Sequence, residues 1–185
     1  MHTPSEQKPL PLAGLRIVEL GHTVMGPSCA VVLADLGADV IKVEPLEGER
    51  TRHVNGFGAG MFPLYNRNKR SLSVDLKSDA GKSIVLKLVT TADALVENFA
   101  AGTMDRLGLG YDDMAKINPR LIYCALKGFL GGPYEHRPAL DEVVQFMGGL
   151  AYMTGPRGRP LRAGASVVDL MGGMFGVIGI LSAVR

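Results

Sequence analysis

Asp169 makes the clearest chemical claim in this sequence. It is the only charge between Ala163 and Val184, a stretch otherwise built of apolar and small residues. A carboxylate in such surroundings is paired, neutralised or functional. Two readings stand: a reactive group, or a capping or first-turn residue of the helix that follows. Gly164 and Ala165 leave room for a ligand, and the start of a helix favours the ionised form. Asp141, in Ala139-Leu-Asp-Glu-Val-Val-Gln145, is a second candidate and equally fits a helix cap. Asn66-Arg-Asn-Lys-Arg70 is the densest positive cluster. It reads either as a solvated rim before a strand or as a seat for ligand phosphates.

Other chemistries are excluded by pattern. The loop Gly21-His-Thr-Val-Met-Gly-Pro27 is neither GxGxxG nor a Walker loop, because Pro27-Ser28 stands where a lysine is needed. It still presents backbone N–H groups to an anion. His2, His22, His53 and His136 lack metal-ligand spacing, so no metal site is expected. No GxSxG nucleophile elbow exists. Cys29 and Cys124, in apolar settings without CxxC spacing, read as buried reduced thiols, which fits a cytoplasmic protein.

The elements that carry these residues alternate. Leu15–Leu20, Ala38–Val43, Ser71–Asp75, Ala94–Val96 and Leu121–Leu126 read as strands. Cys29, Val32, Leu33 and Leu36 recur at helical spacing, with Pro27 in the first turn and Gly37 at the stop. Ser78 caps a helix with the stripe Ile84, Val85, Leu88 and Val89, and Asp141–Leu150 forms another. Glu47–Gly60 reads as a surface loop. The pattern predicts an α/β fold with a mostly parallel sheet. Its 185 residues suffice for one domain with a real core. The net charge of +2 is dispersed, which argues against nucleic acid and anionic membrane partners. Leu170–Val184 is too short an apolar run for a membrane span and carries Asp169 just before it, so a buried core helix is predicted.

Together the motifs resemble the N-terminal part of family III CoA-transferases, the CaiB/BaiF group that also holds carnitine-CoA transferase, formyl-CoA:oxalate transferase and alpha-methylacyl-CoA racemase. The matching stretches are Pro11–Gly21, Leu33–Pro45, Asn66–Ser71, Ala92–Phe99, Arg106–Tyr111, Asn118–Tyr123, Gly131–Tyr134 and Gly164–Gly173. No single stretch is specific; eight in order are. The resemblance implies a Rossmann-like large domain over residues 10–185, after a flexible tail at 1–9, in an interlocked homodimer. It implies no bound cofactor or metal, with coenzyme A and acyl-CoA as substrates beside a carboxylic acid. The family nucleophile falls on Asp169 and a supporting acid on Asp141. CoA contacts fall on Val24, Met25, Val74, Asp75, Leu76, Lys77, Asn98, Phe99, Ala100, Arg106 and Arg137. Pro45 stands where some members carry an arginine for the adenine nucleotide, a role left to Lys42, Arg67 or Arg70.

The family's racemases place a histidine directly before the position of Asp141. Leu140 stands there, and His136 lies four residues too early. Transfer of CoA is therefore expected over racemisation. The stretch Pro133–Asp141, with Leu150–Gly155, most resembles members that handle dicarboxylates such as mesaconate, citramalate or succinate, which implies donors such as succinyl-CoA or mesaconyl-CoA. Members of the family run to roughly twice this length, and the abrupt end at Arg185 suggests a missing C-terminal half or a second chain. A non-catalytic, partner-dependent CoA-binding fragment is the alternative.

Overall fold

The structure, a computed structural model, describes residues 8–184. Most of the expected tail, His2 and Arg185 lie outside the described residues. Five strands, β1 (Arg16–Leu20), β2 (Asp39–Glu44), β3 (Arg70–Ser73), β4 (Ala94–Glu97) and β5 (Ile122–Ala125), form one sheet in the order β3-β2-β1-β4-β5. Every pairing is parallel. That order matches the doubly wound arrangement, whose reversal between β1 and its neighbours opens a crevice at the carboxyl ends of the strands.

Side-chain alternation along the strands divides the core in two. Val18, Leu20, Val43 and Leu95 point to a layer closed by α3 (Asp79–Val89), α4 (Thr103–Leu107) and α5 (Tyr111–Ile117). Ile17, Val40, Ala94 and Val96 point to the opposite layer, closed by α1 (Met25–Asp35) and α8 (Val167–Ala183). Strands buried on both faces read as apolar runs rather than as alternation.

Ser78 Oγ accepts the Gly81 N–H and starts α3 as expected, while Gly37 takes φ 104° beyond α1. Two stripe residues are corrected: Val32 and Ile84 are exposed, and Ala30 and Ala34 take the inner positions on α1. The helix expected over 141–150 breaks into α6 (Asp141–Met147) and α7 (Leu150–Thr154), because Gly149 adopts φ 84° between them. Residues 47–60 are not simply a surface loop. They form two short 3₁₀ turns, with α2 (Met61–Asn66) following, and Glu49 and Thr51 are buried.

α8 is also corrected, since only one of its faces is buried. Gly173, Gly176, Val177 and Ile180 face inward, whereas Met174, Phe175 and Ile178 are exposed. Cys29, buried on α1, and the half-buried Cys124 on β5 are free thiols against Gly176. No helix among the described residues is long and apolar enough to cross a membrane.

The α1–α8 contact sets up a paired test. A Cβ on Gly173 would lie 3.0 Å from the Met25 carbonyl oxygen and 3.0 Å from the Cys29 nitrogen, both backbone atoms of α1. One on Gly179 would meet nothing within 4 Å. Gly173→Ala is expected to cost about 1–3 kcal/mol by overpacking. Gly179→Ala is expected to add about 0.5–1 kcal/mol through helix propensity. Thermal melts of the two variants should therefore move in opposite directions.

Candidate active site

Three strands carry buried glutamates at the crevice edge: Glu44 ends β2, Glu97 ends β4, and Glu19 stands one residue before the end of β1. Each has a cation and each fastens a loop. Lys69 Nζ lies 2.7 Å from Glu19 Oε2, and Lys42 Nζ lies 3.0 Å from Glu19 Oε1. Lys42 also donates to the Gly21 carbonyl at 2.8 Å and sits 2.9 Å from Glu49 Oε2. Glu44 accepts from Arg52, Ser71 and the Glu49 N–H. Burial pushes its carboxyl up, but these donors outweigh it and hold the group at about 2. Glu97 is paired with Lys127 at 2.6 Å and accepts the Phe99 N–H at 2.9 Å.

The β1–α1 loop is held from both sides. Asn98 Oδ1 accepts the His22 N–H at 2.8 Å, and Asn98 Nδ2 donates to the His22 carbonyl at 3.0 Å. Thr23 takes a left-handed φ of 64°, unusual for a β-branched residue, and its N–H bonds Glu49 Oε1 at 2.8 Å. A Cβ on Gly26 would strike Asn98 Oδ1 at 2.7 Å and Gly21 Cα at 2.9 Å, so the loop closes only with glycine there. The His22 ring stacks on Phe99 at 5.7 Å. Burial lowers its pKa and favours the neutral imidazole.

Two cavities flank this loop and share Thr23 and Phe99. One, of about 360 Å³, is lined by Val24, Met25, Asn98, Phe99, Ala100, Arg137, Asp141 and Asp169 among others. The second, of about 670 Å³, is lined by Pro45, Arg50, Val74, Asp75, Leu76 and Lys77 among others. The two cavities thus gather every residue that the resemblance gives to catalysis or CoA contact except Arg106. Arg106 lines neither cavity; it lies on α4 with its guanidinium on Thr103 Oγ1 at 2.9 Å. His136 lies on the wall of the first cavity, despite its distance in sequence from the position before Asp141.

The charges of the basic cluster Asn66–Arg70 are paired within the chain, Arg67 and Arg70 at the surface and Lys69 in the interior. Arg67 pairs with Asp35, Arg70 with Asp39 at 2.6 Å, and the Lys69 side chain is only 2% exposed against Glu19. Asp39 opens β2, so Arg70 stands at the amino edge of the sheet, away from the cavities. Lys42 is buried. None of Lys42, Arg67 and Arg70 lines the cavity beside Pro45; Arg50 and Lys77 are the arginine and lysine side chains on its wall.

Asp169 is half-buried in the first turn of α8. Ser166, at the helix start, makes no side-chain cap. Asp141 does that work from α6: its Oδ1 accepts the N–H groups of Val168 at 2.9 Å and Asp169 at 3.2 Å. The helix start favours the ionised form of Asp169, and its surroundings act in the opposite sense. Burial, then the charges of Asp141 and Glu142, push its carboxyl up to about 6. Gln145 was not singled out in the sequence, yet it is fully buried and bonds both Asp141 and Ala163. Its spacing from Asp141, one helical turn, was the available signal.

A sequence profile of CoA-transferase family III matches residues 12–185. The chain belongs to CoA-transferase family III. Among family III proteins, an acetyl-CoA:oxalate CoA-transferase of Acetobacter aceti is 44% identical, over 98% of this chain and 48% of the relative. The beta subunit of a succinyl-CoA–L-malate CoA-transferase of Chloroflexus aurantiacus is 39% identical, over 95% and 45% respectively. The crystal structure of a CaiB/BaiF family protein from Brucella suis superposes with a TM-score of 0.89 at 41% identity, covering 95% of this chain and 49% of that one. The chain spans about half the length of the family III relatives it matches.

Proposed function

We propose that this chain is the CoA-binding, nucleophile-bearing unit of a CoA-transferase acting on carboxylic acids. The observation that carries the reading is Asp169 on the wall of a cavity that meets, at Thr23 and Phe99, a second cavity whose wall carries Arg50 and Lys77 among the carboxylates Glu44, Glu47, Glu49 and Asp75. Coenzyme A has two ends to match. Its nucleotide phosphates suit Arg50 and Lys77, and its pantetheine arm suits the apolar run Val24, Met25, Phe99 and Ala100 beside Asp169. Both volumes lie in the usual range for small-molecule sites.

The chemistry is covalent catalysis in two half-reactions. With its carboxyl titrating at about 6, Asp169 is largely ionised at neutral pH and free to attack. Its oxygen adds to the thioester carbonyl, the C–S bond breaks, and a mixed anhydride and a CoA thiolate result. The thiolate then attacks the aspartyl carbonyl, which releases the donor acid and leaves an aspartyl-CoA thioester. The acceptor carboxylate reverses these steps and departs as its own CoA thioester. The acceptor is a small dicarboxylic acid, the class shared by the oxalate and malate in the relatives' names. Arg137, on the same wall as Asp169, offers that acid's second carboxylate a cation.

The exposed Met174, Phe175 and Ile178 on α8 support assembly against a second polypeptide surface, as in a homodimer. The racemase alternative draws on His136 in the same cavity, and α-hydrogen exchange into deuterated water distinguishes it. Isothermal titration tests the CoA site. CoA is expected to bind, Lys77→Ala to weaken that binding, and Asp169→Asn to leave it in place. A protein that takes up no CoA would remove the reading.

A further inference from the structure

Gln145 is fully buried and each end of its amide is committed. Its Oε1 accepts the Ala163 N–H at 2.7 Å. Its Nε2 donates to Asp141 Oδ2 and to the Ala165 carbonyl, the latter at 3.3 Å. Asp141 in turn holds the N–H groups of Val168 and Asp169 through Oδ1. One amide side chain on α6 thus grips residues 163–165 directly and 168–169 through Asp141. The irregular segment that leads into α8 has no cap of its own, since Ser166 makes none. Arg162, 3.6 Å from Asp141 Oδ2, is half-exposed and a weaker hold.

We propose that Gln145 is a positioning residue for Asp169: it clamps the segment 163–169 to α6 and fixes Asp141 against the start of α8, so that the Asp169 carboxyl faces the cavity. The inference rests on the reading of Asp169 as nucleophile. Gln145 is not among the residues that line the cavity, so its effect on the reaction runs through Asp141 and the segment that carries Asp169. Its amide is neutral and donates to a carboxylate on one side while it accepts a backbone N–H on the other.

Two variants separate the effects. Gln145→Leu keeps bulk and removes all three bonds; Gln145→Glu keeps shape and sets an acceptor against Asp141. The groups facing Asp169 are Asp141 and Glu142 from α6 and Tyr65 from α2, with Lys127, Glu135, His136 and Arg137 on the same cavity. The readouts are the rate of covalent labelling of Asp169 by acyl-CoA, CoA affinity, and the Asp169 carboxyl titration by ¹³C NMR. Labelling is expected to slow on the order of a hundredfold in both variants, with CoA affinity unchanged. The titration midpoint should fall from about 6 in Gln145→Leu, as the carboxyl leaves its acidic neighbours, and rise in Gln145→Glu. Unchanged labelling and an unchanged midpoint in either folded variant overturn the proposal. If the parent protein forms no adduct at Asp169, the nucleophile reading fails, and the two midpoints alone still decide whether Gln145 positions the carboxyl.

Discussion

Asp169→Asn is expected to abolish hydroxylamine-sensitive labelling by acyl-CoA while CoA still binds. The substitution keeps the size of the side chain and removes the attacking oxygen's charge. Asp141→Asn is the control carboxylate. Asp141 is 5% exposed and its oxygens are occupied by N–H groups of α8 and by Gln145. It is expected to slow labelling by loosening α8, without moving the adduct. Asp169→Asn should also stabilise the fold in a pH-dependent way. The folded carboxyl titrates at about 6 against an ordinary 3.8. Between those values the native state binds more protons than the unfolded state, so this group's contribution declines as pH rises through the window. Above pH 6 the native protein carries a carboxylate it disfavours, and the asparagine variant should melt higher than the parent. Near pH 4 the two should converge. Equal melting at all pH values would contradict the burial and acidic neighbours assigned to Asp169.

Glu19→Ala is expected to produce the largest loss of stability. Glu19 is completely buried and neutralises two lysines whose side chains are 1% and 2% exposed. Its removal strands both in the core, with Glu49 left to balance Lys42 alone. Breaking a buried pair by deleting one partner costs about 3–5 kcal/mol, which for a chain of this size lowers the melting temperature by on the order of 10 °C. The burial that already lowers the pKa of Lys69 then acts without Glu19 to oppose it. Lys69 should deprotonate at a lower pH than in the parent. Part of the lost stability is therefore regained at alkaline pH, where a neutral amine replaces the stranded charge. CoA affinity should fall as well, because Lys42 holds the Gly21 carbonyl and with it the loop between the two cavities. Thermal melts at pH 7 and pH 10, with CoA titration, check these outcomes.

The layout of strands and the position of Asp169 were legible in the sequence for physical reasons. Apolar runs bounded by glycine mark parallel strands, and Gly37, Ser78 and the isolated charge of Asp169 each leave a local signature. Glu19, Glu44 and Glu97 left none. An acidic residue at the end of an apolar run reads as a strand reaching solvent, yet all three are buried more deeply than Asp169. Their partners Lys42, Lys69, Arg52 and Lys127 come from other elements, and only the folded chain joins them. The same distance hid the role of the basic cluster, whose charges answer Asp35, Asp39 and Glu19 rather than a phosphate. Gln145 stands one helical turn from Asp141, but its other partners are backbone groups some 20 residues downstream, which only the folded chain brings to it. Short helices such as α4, α5 and α7 escaped because five to seven residues carry too little periodicity.

The central claim is that Asp169 forms the covalent intermediate. The direct measurement is peptide mapping by mass spectrometry, on the native protein carrying this chain, after incubation with a dicarboxylyl-CoA and quenching with hydroxylamine. The account predicts one aspartyl hydroxamate, on Asp169, dependent on acyl-CoA and lost in Asp169→Asn. A hydroxamate on Asp141 or another residue, persisting in that variant, would contradict it.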